Sequence, residues 1–201
     1  MKYLFIDSAT SNLVVALIID NDIKYIYNKK VDKDMSSEII PVINETLNKT
    51  NTKPNQITKI FAVNGPGSFT GIRVGLTVAK TMAWALKIPV VPISSLEVIA
   101  SGTPFDTNLA LINARRGYVY AGEYDKNLNV IMPDTYISFD LLEKKSKSIS
   151  YDNIYDSVKP EIDIIKIVKK HQNDNGVNPH ALNPKYLKLT EAEENLKKYH
   201  D

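Results

Sequence analysis

The segment from Asn64 to Ala83 constrains this chain more than any other. An apolar run, Lys59–Val63, meets the turn Asn64-Gly65-Pro66-Gly67, and a helical pattern runs on from about Ser68 to Leu86. A turn this tight between a strand and a helix needs a positive φ at Gly65 or Gly67, which glycine adopts without a Cβ penalty. Within the helix, Gly71, Gly75, Ala79 and Ala83 recur every fourth residue and form one small-residue seam. Two interior glycines cost about 1 kcal/mol each relative to alanine, and close approach of another backbone is the gain that offsets such a cost. Ile72, Leu76 and Leu86 flank one side of the seam; Arg73, Thr77, Lys80 and Trp84 line another, and Val74, Val78 and Met82 are apolar as well. A helix with so little polar surface either packs centrally on its own sheet or forms an interface with a partner, and the pattern favours neither.

Around this segment the chain reads as an α/β protein. Tyr3–Ile6 and Leu13–Ile19 are apolar runs separated by the polar turn Asp7-Ser8-Ala9-Thr10-Ser11-Asn12, and Ile23–Asn28 alternates, which predicts a three-strand antiparallel meander. A helix follows, with Ser36 or Ser37 as its cap and Ile39, Ile43 and Leu47 recurring every four residues. Pro41 sets its start at about Ser37, because only the first turn has few internal N–H bonds to lose. Pro89–Ile93 reads as a strand, and Ser94-Ser95 caps a short helix to Ala100. Ser101-Gly102-Thr103-Pro104 marks a boundary between an N-terminal lobe, residues 1–103, and a C-terminal lobe with a tail, residues 104–201. The second half restarts with strands at Leu109–Asn113, Tyr118–Tyr124 and Val130–Met132. Helices are expected over Phe139–Lys144 and Glu161–His171, then an extended piece, Pro184–Lys188, and a polar helix, Thr190–Tyr199. Each half opens with a meander followed by a helix, which suggests an internal duplication.

Composition removes several function classes. There are no cysteines, so disulfides, thiolate metal sites and a cysteine nucleophile are excluded. The formal net charge is only +2, and three of the 25 basic residues are arginine, which argues against a broad RNA-binding field. No apolar run approaches the roughly 18–20 residues of a membrane span, and Asp7 follows the first apolar residues too soon for a signal peptide, so a soluble, cytoplasmic protein is expected. His171, His180 and His200 have no helical pair spacing and no carboxylate set, which makes zinc or iron ligation improbable. No G-x-S-x-G elbow occurs and no nucleophile stands out. The glycine turn lacks a Walker lysine and the G-x-G-x-x-G order. Asp7, Ser8 and Thr10 suit a phosphate or metal turn, but equally a hairpin turn bonding its own backbone, which is the commoner case. Arg115 and Arg116, before Gly117, suit either a phosphate or partner carboxylate, or a solvated turn.

Four blocks together resemble a known family. They are Ile6-Asp7-Ser8-Ala9-Thr10 with Val15-Ala16-Leu17; Gly65-Pro66-Gly67-Ser68-Phe69-Thr70-Gly71-Ile72-Arg73-Val74-Gly75-Leu76 with Ala79-Lys80; Ala114-Arg115-Arg116-Gly117-Tyr118-Val119-Tyr120; and Pro184-Lys185-Tyr186-Leu187-Lys188. In this order, spanning nearly the whole chain, they resemble the bacterial TsaB (YeaZ) proteins, and the second block is the specific one. The resemblance implies a two-lobed actin-like ATPase (ribonuclease H-like) fold. It implies a non-catalytic scaffold in the complex that transfers a threonylcarbamoyl group from threonylcarbamoyl-AMP to N6 of the adenosine beside the anticodon in tRNA. TsaD would be the catalytic partner in a heterodimer and TsaE an accessory ATPase of the larger complex. Alone the chain would form a homodimer, and it would meet tRNA only indirectly. No resident cofactor or metal is expected; whether ATP or ADP binds at the partner interface is left open by the sequence. The implied interface comprises Ser68, Phe69, Thr70, Gly71, Arg73, Val74, Gly75, Thr77, Lys80 and Trp84, with Ile39 and Ile43 on the preceding helix. Asp7, Ser8 and Thr10 would be a degenerate phosphate turn.

The chain departs from the family at Met35-Ser36-Ser37-Glu38, where His-Ser-Glu is common, at Asn113, usually Asp, and at Asp7-Ser8-Ala9-Thr10, in place of Asp-Thr-Ser-Thr. The alternative function is an actin-like phosphotransferase or a TsaD-like enzyme with its own nucleotide site, although the H-x-x-x-H metal motif of TsaD is absent. On the scaffold reading, Gly75→Leu or Arg73→Glu is expected to abolish docking while the chain stays folded.

Overall fold

The computed structural model describes residues 1–31, 34–103, 105–143, 149–152 and 161–188. β1 (Lys2–Asp7), β2 (Asn12–Ile19) and β3 (Asp22–Lys30) form the expected antiparallel meander. β4 (Lys59–Gly65) lies parallel to β1, and β5 (Val90–Ser94) parallel to β4, giving the order β3-β2-β1-β4-β5. Tyr3–Asp7 and Leu13–Ile18 are buried throughout, so β1 and β2 read as unbroken apolar runs, whereas the edge strand β3 alternates.

Parallel pairing requires crossover connections, and two helices supply them. α1 (Met35–Lys49) precedes β4, and α2 (Phe69–Leu86) joins β4 to β5. The two pack on each other and on the sheet. α1 starts two residues before the expected Ser37, because Asp34 is the cap and accepts from the Ser36 N–H at 2.9 Å. A carboxylate two residues ahead of Ser36 takes the cap, and both serines fall inside the first turn. Pro41 thus sits past that turn and leaves the Ser37 carbonyl without its helical donor. Both residues are exposed, so no buried group is left unpaired.

The second sheet repeats the plan of the first. β6 (Thr107–Asn113), β7 (Tyr118–Asp125) and β8 (Val130–Ser138) form a meander, and β9 (Ile149–Asp152) pairs parallel with β6, in the order β8-β7-β6-β9. β8 runs well past the expected Met132; Pro133 is tolerated because β8 is an edge strand. β9 was not foreseen, since four residues carry too little periodicity to read. α4 (Phe139–Glu143) appears where expected, and α5 (Ile164–His171) starts later than Glu161 because Asp163 caps it, accepting from the Lys166 N–H at 2.9 Å. The expected tail helix Thr190–Tyr199 lies outside the described residues.

α3 (Ser95–Ser101) is wedged between the sheets, touching β4 and β5 on one side and β6 and β7 on the other. The chain then returns: α5 packs on α3, Val177 bridges Val90, and Leu182 is buried in the core of the first sheet. Residue 103 lies between the two sheets, and residues 164–188 return to touch both: Leu182 joins the core of the first sheet, while Lys170 reaches the Leu128 carbonyl and Lys185 the Asp134 carboxylate of the second. This doubled meander with later parallel strands is the two-lobed actin-like, ribonuclease H-like α/β fold. Among the described residues no helix is long and apolar enough to cross a membrane.

Candidate docking surface and interlobe cleft

The glycine turn is built around the β1–β2 turn. Gly65 has φ 111° and Gly67 φ 156°, so both, rather than one, use conformations open to glycine. Ser68 N–H donates to the Ala9 carbonyl at 2.7 Å, and a Cβ at Gly67 would overlap that same carbonyl. Ser68 then caps α2, its hydroxyl accepting from the Gly71 N–H at 3.2 Å.

The small-residue seam faces inward. A Cβ at Gly71 would fall within 3.0 Å of the Ser8 carbonyl oxygen, and one at Gly75 within 3.0 Å of Ser8 Oγ. The Ser8 hydroxyl donates to the Gly71 carbonyl at 2.8 Å, and Ala79 and Ala83 continue the buried line. The glycines thus let α2 lie directly on the end of β1. This corrects the expected interface: Gly71 and Gly75 are covered by their own lobe. Ile39 and Ile43 are corrected likewise, being 0% and 2% exposed in the core, because the stripe they form is the one α1 needs to cover the sheet.

Asp7, Ser8 and Thr10 serve the turn itself. Asp7 is buried and its carboxylate accepts from the Ala9 N–H at 2.8 Å. Ser8 is buried under α2, which removes it as a ligand for a phosphate. Thr10 accepts from the Asn12 N–H at 3.3 Å and reaches the cleft between the lobes.

The other side of α2 is open. Phe69 is 53% and Trp84 63% exposed, Thr70, Arg73 and Thr77 are exposed, and Val74 and Lys80 are half-buried beside them. The guanidinium of Arg73 lies 3.7 Å from the centroid of Phe69, and its Nε donates to the Tyr186 hydroxyl at 2.7 Å. Phe69 and Tyr186 stack at 5.3 Å. The tail is fixed here by Lys185 N–H, which donates to the Asn64 carbonyl at 2.8 Å. Further along, Trp84 borders a groove of about 460 Å³ with Thr77, Lys80, Thr81, Pro179 and His180. The face is therefore a composite of α2 and the returning tail. Sequence reasoning missed Pro179, His180 and Tyr186 as members; the isolated aromatic in Pro184-Lys185-Tyr186-Leu187-Lys188 was the available signal.

A buried carboxylate ties the tail to both lobes. Asp134 on β8 accepts from Lys185 Nζ at 2.7 Å, from the Ser94 hydroxyl at 2.5 Å, and from the Tyr124 hydroxyl. Burial first, then the neighbouring Asp134 charge, pushes the Tyr124 phenol well above its usual range, so it stays a neutral donor. α5 is held by a second cluster. His171 bonds Glu97 through Nε2 and Asp174 through Nδ1, both at 2.7 Å, and Lys170 reaches Glu97 at 2.8 Å.

Between the lobes lies a cleft of about 640 Å³, bordered by Thr10, Ser68, Thr70, Asn113, Arg115 and Tyr120. Among the described residues its lining carries hydroxyls, an amide and one guanidinium, but no carboxylate and no lysine. Among the described residues no group of three or more histidine, aspartate or glutamate side chains is placed to hold a metal. Arg115 and Arg116 form the β6–β7 turn with φ 67° and 53°, followed by Gly117 at 76°. Left-handed backbone at a non-glycine residue costs about 1–2 kcal/mol.

Fold and site together define a two-lobed actin-like protein with an exposed aromatic helix face beside a cleft between the lobes. Comparison with known proteins gives the family. The model for TsaD, tRNA N6-adenosine threonylcarbamoyltransferase, matches residues 25–169. The tRNA threonylcarbamoyladenosine biosynthesis protein TsaB of Bacillus subtilis is 31% identical over 96% of both chains, and the TsaB of Escherichia coli 32% identical over 65% of this chain and 58% of its own length. The solved structure of YeaZ from Pseudomonas aeruginosa superposes with a TM-score of 0.79, covering 92% of this chain and 99% of its own, at 19% identity. The chain belongs to the TsaB (YeaZ) family.

Proposed function

We propose that this chain is a non-catalytic scaffold in the synthesis of threonylcarbamoyladenosine in tRNA, docking the threonylcarbamoyltransferase TsaD through the open face of α2. The observation that carries this is the exposed Phe69–Arg73–Tyr186 stack continuing to Trp84. Exposed aromatics and an arginine on a rigid helix are what interfaces are built from. Among the described residues, the lining of the cleft beside it offers hydroxyls, an amide and a guanidinium. In this reading TsaE joins the larger complex, and the same face pairs two copies of the chain when TsaD is absent. ATP or ADP is held between partners, and the work is done in the cytoplasm.

The test is binding of Arg73→Glu to TsaD, with threonylcarbamoylation of tRNA as the second readout. The substitution reverses a charge on an exposed residue, so the chain stays folded while affinity falls by about thirtyfold or more, a hot-spot-sized effect. Unchanged affinity would refute the docking face. Nucleotide turnover by the isolated chain that disappears in Asp7→Ala would refute the non-catalytic role and favour an actin-like phosphotransferase.

A further inference from the structure

Across the cleft from α2 lies a surface the docking reading does not use. Tyr118 and Tyr120 share one face of β7 with Tyr136 on β8, which pairs with Tyr120 in register. Tyr118 and Tyr136 stack at 4.8 Å with planes 11° apart, and Tyr120 lies 5.7 Å from Tyr136. Lys188 Nζ sits 5.8 Å from the Tyr136 centroid. Tyr118 heads this row and is 41% exposed. Immediately beside it, the β6–β7 turn presents Arg115 and Arg116, both exposed and, among the described residues, in no ion pair. The bond from Phe139 N–H to the Gly117 carbonyl, 2.8 Å, brings α4 and its exposed Asp140 up to the turn without pairing that carboxylate to either arginine.

The backbone gives a second, independent indication. Arg115 and Arg116 both occupy left-handed conformations, which a hairpin turn ordinarily gives to asparagine or glycine. The reason for arginine at these two positions therefore lies in the side chains, not in the turn. Two of the three arginines in the sequence stand here, where lysine is otherwise the common cation, and guanidinium is the group that meets phosphate oxygens bidentately.

We propose that this corner binds a single-stranded RNA segment directly, with unstacked bases on the tyrosine row and phosphates on Arg115 and Arg116. The inference rests on the function proposed above, which makes tRNA the substrate of the assembly, and it replaces the indirect contact expected from the resemblance with a direct one. Tyr118 is the exposed end of this row, with Tyr120 and Tyr136 half-buried behind it; accessible aromatic rings stack splayed bases with little sequence preference, and flanking cations track the backbone.

The experiment uses the full chain in complex with TsaD and an unmodified tRNA transcript carrying adenosine beside the anticodon. R115N/R116G removes both guanidiniums while giving the turn residues it favours, so folding is not at issue. Affinity for the transcript falls and the slope of log K against log salt is reduced by about 1.4, at roughly 0.7 per single-strand phosphate contact. R115K/R116K recovers part of the affinity. Tyr118→Ala weakens binding at least about fivefold with the salt slope unchanged. TsaD affinity is unaltered in all three. Unchanged RNA affinity and slope would overturn the proposal, as would loss of TsaD binding with RNA affinity intact, which would make the corner a protein contact. If the unmodified chain itself fails to bind TsaD, the scaffold reading fails, and the same variants titrated with the transcript alone still decide this proposal.

Discussion

Gly75→Ala isolates the physical basis of the α2 seam. Helix propensity alone predicts a gain of about 1 kcal/mol, because an interior glycine becomes alanine. The structure predicts the opposite. The new methyl would lie within 3.0 Å of Ser8 Oγ but at 3.4 Å from Ser8 Cβ, so the collision is with the hydroxyl alone. Moving that hydroxyl breaks its buried bond to the Gly71 carbonyl, which costs about 1–3 kcal/mol when the donor is left unpaired. Overpacking adds about 1–3 kcal/mol. Set against the propensity gain, the net loss is about 3 kcal/mol, or about 6–12 °C in melting temperature for a chain of this size. Ser8→Ala in the same chain removes the colliding atom and leaves ordinary contact, so the double variant recovers much of the loss. Gly71→Ala collides with the Ser8 backbone carbonyl and is not rescued by Ser8→Ala. Urea and thermal unfolding of these five variants, single and double, followed by circular dichroism, read all of this. A Gly75→Ala chain more stable than the parent, or strict additivity with Ser8→Ala, would refute the close-approach argument. By the same geometry the sequence-based expectation for Gly75→Leu is reversed: it destabilises the lobe, and its effect on docking follows from misfolding.

Two further outcomes follow from the clusters that hold the returning chain. Burial draws the His171 pKa down, but its bonds to Glu97 and Asp174 outweigh that and leave it raised above 6.5. The clasp therefore stabilises fully below about pH 6.5 and is lost as pH rises through the folded-state value, so melting temperature falls with pH over that window and the dependence flattens in His171→Gln. Asp134→Ala leaves Lys185, Ser94 and Tyr124 without their shared acceptor; unfolding free energy falls by about 2–3 kcal/mol, the scale of charged hydrogen bonds, and limited proteolysis cuts the tail near Lys185 faster than in the parent, while equal cleavage rates would exclude the clamp.

Local pattern made much of the fold legible. Apolar runs and turn residues located β1, β2, β4 and both crossover helices, because those signals sit within a few residues of one another. The duplication was visible as two meanders, and topology gave it substance in the parallel pairings β1–β4 and β6–β9. β9 and the full length of β8 were not legible, since a short strand and an edge strand interrupted by Pro133 owe their pairing to neighbours distant in sequence.

For the α2 segment, the sequence by itself determined that a helix would carry a seam of Gly71, Gly75, Ala79 and Ala83 on one side and Arg73, Thr77, Lys80 and Trp84 on another. Periodicity fixes the angle of each side chain about the helix axis. It says nothing of what each side meets. Only the tertiary structure decided that the seam lies on Ser8 at the end of β1, that Ile39 and Ile43 are core, and that the outward face is completed by Tyr186 from a tail 113 residues further along the chain. Those outcomes depend on contacts between residues far apart in sequence, and a helical repeat carries no record of them.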